Sequence, residues 1–265
     1  MALTLEILIS TKDRTDTAFL KEMFPGGLPK ADILIINQTG GKKGIPLSAL
    51  PPRVRVVHSN RYGLSHSRNL ALTHARGDIL LLADDDVRYR SGFEKDVMEA
   101  HEKYDAPFLI FPIADEKGQA LGLHLPADVP VKDFTQVFSP QISMKRMWIK
   151  EKDIRYDENF GLGARYPDSE NFVFLKETAQ AGGEVRYVAT SPIAIHPRLN
   201  SSDFLENDGV FETRMVLFKK YHNPQWLWLY FFKVLGSLLV RGRLSLKDLP
   251  GKWRLFRKVA KTNFD

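Results

Sequence analysis

Short apolar runs alternate with helical patterns over the first half of the chain. The apolar runs end at Gly, Pro, Asn or charged residues, as buried strands do. They are Leu5–Ile9, Ala31–Ile36, Val54–His58, Asp78–Ala83 and Ala106–Pro112. The segments with apolar residues at helical spacing are Thr15–Met23, Gly63–His74 and Phe93–Lys103. This alternation predicts a doubly wound, mostly parallel sheet that binds ligands at the carboxyl ends of its strands.

The alternation breaks down between Phe111 and Arg198. One helix is predicted there, Ser169–Ala181, and it ends at a Gly-Gly pair as helices often do. The strand-like pieces around it are Leu121–Leu125, Gln141–Trp148 and Glu184–Ile195. We therefore expect two lobes that share one sheet.

Length and composition fit one large α/β domain with an appendage. The chain has 265 residues, of which 43% are hydrophobic. It has no Cys, which excludes disulfides and thiolate metal ligands and suits a reducing compartment. Its first residues, Met1–Ile9, lack a basic segment and read as a first strand rather than a signal peptide. These features favour a cytoplasmic location.

The positive charge belongs to the end of the chain. Residues Lys219–Asp265 contain eleven Lys or Arg against two Asp, a net of +9. The whole chain carries +6, which leaves −3 for residues 1–218.

The basic tail also contains an apolar, aromatic run of fifteen residues, Trp226–Val240. As a helix it would span about 22 Å, short of the roughly 30 Å hydrocarbon core of a membrane. Its Trp, Tyr and Phe residues and the Arg and Lys residues that follow suit a helix lying in an anionic membrane interface. The alternative is a helix packed on the rest of the protein with a solvated basic end.

Polar residues follow four of the predicted strands. They are Ser10–Arg14, Asn37–Thr39, Ser59–Arg61 and Asp84–Asp86. Each segment alone fits a turn or a helix cap, but together they meet at one sheet edge, as a nucleotide site requires. Three adjacent carboxylates leaving a buried strand also invite a hard divalent cation.

The segment Gly63–Asn69, followed by the triplet Asp84–Asp86, resembles the DxD region of family 2 glycosyltransferases. That resemblance covers roughly residues 3–197. It implies a GT-A fold, a Rossmann-like doubly wound, mostly parallel sheet, with a nucleotide-sugar donor and a Mn²⁺ or Mg²⁺ cofactor. It also implies a nucleotide-sugar-binding half over residues 1–112, an acceptor-binding half over 113–200 and a basic, aromatic-rich helical tail over 201–265.

The resemblance implies roles for several of the polar residues at the strand ends. Asp86 would bind the metal with Asp84 and His196, and Asp84 would also contact the ribose or sugar, with Asp85 assisting. The Arg68 guanidinium would meet phosphate, while Asn37 and Gln38 stand where the family commonly has an Asp that binds the base. The expected nucleotide-sugar contacts are Ser10, Thr11, Arg14, Asn37, Gln38, Arg68, Asp84 and Asp85.

A second match, Arg155–Phe172, resembles the family segment that supplies the base for the acceptor hydroxyl. The acidic pair of the family is altered here to Asp168-Ser169-Glu170. Either acid qualifies, and the distance from the helix body favours Glu170. Capping of the helix explains the same residues without catalysis. A third match, Tyr187–Pro197, resembles the family strand that ends in a His, here His196.

We therefore expect a metal-dependent, inverting glycosyltransferase with a UDP-sugar as the favoured donor. Its acceptor would be a glycan or lipid-linked molecule in surface polysaccharide synthesis, and it would lie peripherally at the inner face of the membrane. A nucleotidyltransferase is one alternative, but it needs a Gly-rich loop after the first strand, and Ser10–Arg14 contains no Gly. A nucleic-acid-binding module is another, but it leaves Asp84–Asp86 without a purpose, so we expect no nucleic acid partner.

Overall fold

The computed structural model of the protein describes residues 3–197 and 205–262. Within these ranges, residues 3–158 and 170–197 belong to one compact unit, and residues 159–169 and 205–262 belong to a second. The domain boundary predicted between residues 200 and 201 lies outside the described residues.

The first unit is an α/β layer structure. Its strands are β1 Leu5–Lys12, β2 Asp32–Gln38, β3 Val54–Ser59, β4 Ile79–Asp84, β5 Arg88–Tyr89, β6 Phe108–Ile110, β7 Ile113–Ala114, β8 Ala120–Leu121, β9 Val129–Pro130, β10 Ile142–Lys145, β11 Val185–Tyr187 and β12 Ala194–Ile195. Its helices are α1 Phe19–Met23, α2 Leu64–His74, α3 Phe93–Lys103, α4 Arg146–Lys152 and α5 Glu170–Gln180.

The main sheet has the strand order β3-β2-β1-β4-β10-β6-β11-β9. Strands β1 to β4 are parallel, and β10 runs antiparallel to both β4 and β6. The register pairs Ser10 with Asp84 and Thr11 with Asn37, so the polar residues after these strands share one edge. A second, smaller sheet has the order β5-β12-β7-β8. The doubly wound α/β arrangement expected from the sequence is confirmed.

Both faces of the main sheet are buried, which explains why its central strands read as unbroken apolar runs. Alternate residues of each strand enter two separate cores. One core contains Ile7, Ile9, Ile33, Ile35 and Leu81, and the other contains Leu8, Leu34, Ile36, Leu80 and Leu82. Burial of each such side chain contributes roughly 1.5–3 kcal/mol, so these strands form a firm base for the edge above them.

Several predicted boundaries are wrong. The first helix begins at Phe19 rather than Thr15, because the Asp16 carboxylate accepts the Ala18 N–H at 2.8 Å and closes a turn before it. The predicted strand Gln141–Trp148 ends at Lys145 and continues as α4, where the Trp148 ring packs edge-on against Phe108 with centroids 5.7 Å apart.

Three other predicted strands are shorter than expected. Within the predicted strand Ala106–Pro112, only the residues of β6 pair in the main sheet. Pro112 has no N–H to donate to a neighbouring strand, and after it the chain enters the second sheet as β7. Glu184–Ile195 divides in the same way into β11 and β12. Of Leu121–Leu125, only Leu121 is in a strand.

The second unit contains three longer helices, α6 Asp208–Tyr221, α7 Leu227–Val240 and α8 Leu249–Lys261. Asn207 caps α6 by accepting the Gly209 N–H at 2.8 Å. Phe211 of α6 packs edge-on against Phe231 of α7 with centroids 6.0 Å apart. In the part of the chain that the structure describes, no helix has the length and apolar character needed to cross a membrane.

Candidate active site

The site is built on the carboxyl end of β4, where Asp84 is the last strand residue. One oxygen of Asp84, Oδ1, lies 3.3 Å from Nη2 of Arg68, and the other, Oδ2, accepts the Ser139 hydroxyl at 2.7 Å. Both oxygens of this carboxylate therefore have protein partners that fix its orientation.

Arg68 is the centre of the site. It lies on α2, its side chain is only 3% exposed, and its Nη1 donates to Oε1 of Glu170 at 2.8 Å and to Asn171 at 2.9 Å. Nη2 donates to the Ser139 hydroxyl at 2.7 Å. Burial alone would lower the pKa of Arg68, but the neighbouring Tyr156, Glu170 and Asp84 raise it above its ordinary value. The guanidinium stays charged and joins two carboxylates from distant parts of the chain.

Asp85 has different partners from Asp84. Its Oδ2 accepts the Thr11 hydroxyl at 2.5 Å and Nε of Arg14 at 2.8 Å. Nη2 of Arg14 lies 2.7 Å from the same oxygen. This carboxylate ties the end of β1 and the loop after it to the end of β4.

The two amides at the end of β2, Asn37 and Gln38, are held by backbone atoms. Asn37 is fully buried, accepts the Arg14 N–H at 3.2 Å and donates to the Arg14 carbonyl at 2.7 Å. Gln38 donates to the Thr11 carbonyl at 3.3 Å and accepts the Gly63 N–H at 2.7 Å. The amides thus position the loop after β1 and the start of α2. Direct recognition of a base by Asn37 or Gln38 stays a prediction.

Ser10 lies beneath this edge. It is buried, and its hydroxyl accepts the Ser67 hydroxyl at 3.0 Å. This bond joins β1 to α2 next to Arg68. A direct contact between Ser10 and a nucleotide likewise stays a prediction.

Asp86 is the member of the triplet whose side chain is most exposed, at 52%. Its Oδ1 lies 3.9 Å from Nε2 of His196, which follows β12. Partial burial raises the pKa of Asp86, the His196 charge lowers it, and the charges of Asp84 and Asp85 raise it, with a net increase. Nδ1 of His196 is buried and has no hydrogen-bond partner among the described residues.

Asp86 and His196 fit a hard divalent cation that also binds substrate phosphates. Mg²⁺ is usually bound by one or two carboxylates together with phosphate oxygens and water, rather than by a complete protein cage. Consistent with such a partial set, no group of three or more His, Cys, Asp or Glu within residues 3–197 and 205–262 is arranged to hold a metal by itself.

The two candidate bases have separate environments. Glu170 is the first residue of α5, and its side chain is 11% exposed beside Arg68. Asp168 belongs to the second unit, where its Oδ2 accepts the Ser169 hydroxyl at 2.8 Å and lies 3.2 Å from Nη2 of Arg214 on α6. Between them, Ser169 has a φ of +69°, a left-handed conformation that is uncommon for Ser and is found at functional turns.

Asn69, next to Arg68, has a structural task. It donates to the Tyr156 carbonyl at 2.9 Å and accepts the Tyr156 N–H at 2.8 Å, as a neighbouring strand would. The Tyr156 ring stacks on Phe174 with centroids 4.0 Å apart and lies 5.4 Å from the Arg68 guanidinium. The Arg-Asn pair therefore fastens α2 to the segment before α5.

Three partners in this site were missed by sequence reasoning: Ser139, Tyr156 and Asn171. Asn171 and Tyr156 lie inside the second matched segment, Arg155–Phe172, so their positions were available as a signal. Ser139 gave no local signal, because it reaches Asp84 from a turn fifty-five residues away.

Residues 45–162 match the model of the family described as Glycosyl transferase family 2. This segment of the chain is similar to family 2 glycosyltransferases. The family resemblance and the expectation of a glycosyltransferase are confirmed. The match includes Arg68 and Asp84–Asp86, whereas Glu170 and His196 lie beyond it.

Solved structures of S. aureus TarS share the fold of this chain. TarS 1–349 in complex with UDP-GlcNAc has a TM-score of 0.65 at 13% identity, covering 97% of this chain and 82% of that one. The complex with UDP has a TM-score of 0.61 at 13% identity, covering 98% and 81%. A longer TarS structure has a TM-score of 0.56 at 14% identity, covering 81% of this chain, which spans only 40% of its length. A search of the curated proteins gave no match. The expected GT-A fold is confirmed.

Proposed function

We propose that this protein transfers a sugar from a nucleotide diphosphate donor, with a UDP-sugar favoured, to a hydroxyl of a glycan or lipid-linked acceptor. One observation carries the proposal: the buried Arg68 guanidinium joins Asp84, at the end of the nucleotide-side strand, to Glu170, at the start of α5. Arg68 therefore fixes the position of Asp84, on the proposed donor side, relative to Glu170, on the proposed acceptor side. The UDP and UDP-GlcNAc complexes of TarS support the choice of donor class.

On the donor side, Asp86 with His196, and Asp84 beside them, would hold Mn²⁺ or Mg²⁺. When bound, such an ion neutralises charge that develops on the departing diphosphate. The residues of the chain orient the donor around it. Asp85 holds Thr11 and Arg14 at the end of β1, and the Arg14 side chain is 42% exposed, which allows it to contact the nucleotide.

On the acceptor side, we assign Glu170 as the general base. Its Oε1 is fixed by Arg68, so Oε2 is the atom proposed to take the proton of the acceptor hydroxyl. A positioned base of this kind contributes about 10²–10⁴-fold to a rate. Because the protein then needs no covalent intermediate, the hydroxyl attacks the sugar directly and the configuration inverts. Asp168 is the alternative base.

The cellular role that fits this chemistry is surface polysaccharide synthesis on the cytoplasmic side of a membrane. A lipid-linked acceptor would be presented there at the bilayer surface. The absence of cysteine and the basic, aromatic tail both support such a location.

A panel of nucleotide sugars, tested for Mn²⁺-dependent thermal stabilisation, examines this proposal. A ligand at a hundred times its Kd stabilises a protein by about 2.7 kcal/mol, which raises Tm by several degrees for a domain of this size. We expect UDP-sugars to raise Tm only when Mn²⁺ is present, and EDTA to remove the effect. Stabilisation by nucleoside triphosphates instead of any nucleotide sugar would favour a nucleotidyltransferase and contradict the proposal.

A further inference from the structure

Helix α7 has an apolar face on each side. One face is buried within the second unit and contains Leu227, Phe231, Val234, Leu235 and Leu238. Outside this face, Trp228 is 52% exposed and Phe232 is 55% exposed, and Leu229, Lys233 and Val240 are exposed as well. An amphipathic helix of a water-soluble protein has polar residues on its outer face, so the outer face of α7 requires a partner.

We propose that the outer faces of α7 and α8 form a surface that docks on an anionic lipid bilayer. The proposal deepens the proposed function, on which it rests for the idea of a lipid-linked acceptor. The surface itself belongs to α7 and α8, and α6 supports it. We refer to Trp226, Trp228, Phe232 and Trp253 as the aromatic patch.

The aromatic patch continues from α7 to α8 through ring contacts. Trp228 and Phe232 have centroids 6.5 Å apart, and Phe232 lies 5.3 Å from Phe231. Phe231 in turn lies 5.6 Å from Trp253 of α8, which is itself 46% exposed. The exposed rings of Trp228, Phe232 and Trp253 are therefore linked through the buried ring of Phe231. Trp at such a surface is typical of membrane interfaces, because its ring is apolar and its N–H is polar.

Basic residues lie beside the aromatic patch on the outer face of α8. Trp253, Arg254, Arg257 and Lys261 recur at helical spacing, and with Pro250 and Lys258 they line a shallow groove of about 390 Å³. Headgroup phosphates of anionic lipids attract each Lys or Arg that lies near the surface, and this attraction weakens as the salt concentration rises. The groove thus supplies the phosphate-binding side of the same surface.

Helix α8 is held firmly against α6, which fixes the direction of its basic face. The buried ammonium of Lys252 lies 2.7 Å from Oδ1 of Asp208 and donates to the Glu206 carbonyl at 2.7 Å. Lys258 pairs with Glu212 of α6 at 2.7 Å. Lys219 of α6 donates to carbonyls at the end of α8, including that of Thr262 at 2.7 Å. The outer residues of α8 are therefore presented on a fixed support.

Charge favours a bilayer over a second copy of the chain as the partner. Residues 205–262 contain twelve Lys or Arg against four Asp or Glu, a net of +8, so two such surfaces would repel each other. An anionic bilayer offers both negative charge and an apolar layer for the rings. Helix α7 has fourteen residues, about 21 Å, and lies in the plane of the interface because it is too short to cross.

Tryptophan fluorescence of the full chain tests docking directly. The chain has four tryptophans, and the three exposed ones of the aromatic patch are 55%, 52% and 46% exposed. We expect a blue shift of their emission when phosphatidylcholine vesicles containing phosphatidylglycerol are added, and quenching by brominated lipid. Vesicles of phosphatidylcholine alone should give a much smaller change, and added salt should weaken the binding to anionic vesicles.

Paired variants locate the surface by vesicle co-sedimentation. Trp228→Ser with Phe232→Ser should reduce binding at least tenfold, whereas Leu47→Ser with Met147→Ser, which alters equally exposed apolar residues of the first unit, should leave it unchanged. Arg254→Gln with Arg257→Gln should weaken binding and flatten its salt dependence. The matched control is Lys150→Gln with Lys152→Gln on α4, which removes the same charge elsewhere.

Several results would overturn the inference. These are equal binding by the aromatic-patch variant and its control, concentration-dependent dimerisation through the patch without vesicle binding, or the same fluorescence shift with single-stranded DNA but not with lipid. Nucleotide-sugar stabilisation of each variant is measured in parallel. If an aromatic-patch variant loses vesicle binding but is still stabilised by nucleotide sugars, the docking inference is supported. If nucleotide sugars do not stabilise the wild-type protein, only the proposed function is contradicted.

Discussion

Nη1 of Arg68 lies 2.8 Å from Oε1 of Glu170, although the two residues are 102 positions apart in the chain. The Arg68 side chain is almost completely buried, so its charge must be balanced where it lies. Glu170 and Asp84 provide that balance, and neither can move without leaving the guanidinium short of a partner. We infer that Arg68 is a positioning residue that fixes two acids on opposite sides of a reaction.

Arg68→Met is expected to destabilise the protein by about 3 kcal/mol, because it leaves the partly buried carboxylates of Asp84 and Glu170 beside an uncharged side chain. Urea unfolding at neutral pH measures the change. Arg155→Met, at an Arg on the surface of the same unit, is the control and should change the free energy of unfolding by about 0.5 kcal/mol or less. A loss below about 1 kcal/mol for Arg68→Met would show that the contacts of Arg68 are energetically minor.

Asp86→Asn should abolish Mn²⁺-dependent UDP binding while leaving the fold intact. The amide has nearly the same shape as the carboxylate but lacks its negative charge, and the side chain is half exposed, so little packing changes. Calorimetric titration of UDP with and without Mn²⁺ measures the effect. Asp105→Asn is the matched control at an exposed carboxylate. Unchanged UDP affinity of the Asp86 variant in the presence of Mn²⁺ would remove Asp86 from the metal site.

Asp78 provides a prediction about pH. Its carboxylate accepts the Thr4 hydroxyl at 2.8 Å and the Thr4 N–H at 3.0 Å, and these bonds hold the pKa of Asp78 below the ordinary value of 3.8. A lowered folded-state pKa means that this stabilisation is present above the unfolded pKa and is lost as pH falls through the folded value.

Asp78→Ala should therefore cost about 1 kcal/mol near neutral pH, and the difference from wild type should shrink as pH falls below about 4. Urea unfolding across a pH series gives both free energies. Glu116→Ala, at an exposed carboxylate, should show little difference at any pH. A cost for Asp78→Ala that stays constant down to the lowest pH would mean that the charge of Asp78 does not contribute.

The strands that build the site edge were predictable because buried parallel strands require unbroken apolar runs. Thr11 and Asp85 could be placed near each other for this reason, since each follows such a strand. The partners of the three adjacent carboxylates could not be predicted. Asp84 faces Ser139 and Arg68, while Asp86 faces His196, because side chains after a strand are directed by loops that pack from distant parts of the sequence.

The prediction that Trp148 lies in a strand was wrong for a related reason. Gln141–Trp148 has strand-like composition, and its first half does form β10. The second half becomes α4 because Arg146 turns back to the carbonyl of Gly77, to which its Nε donates at 2.6 Å. Tertiary contacts of this kind override local propensity and leave no pattern in the segment itself.

The identity of the base is decided by comparing Glu170→Gln with Asp168→Asn. If Glu170 accepts the proton, Glu170→Gln should reduce sugar transfer about 10²–10⁴-fold at saturating donor with donor affinity near wild type, because the amide keeps the shape and loses the basicity. Asp168→Asn should have little effect on the transfer rate. It should lower the free energy of unfolding by about 1 kcal/mol or less, because Asn retains a bond to Arg214 and caps a helix nearly as well as Asp. Transfer rates of both variants are measured, and unfolding curves are recorded alongside them, because Glu170→Gln also weakens the ion pair with Arg68. An inactive Asp168→Asn beside an active Glu170→Gln would move the base to Asp168.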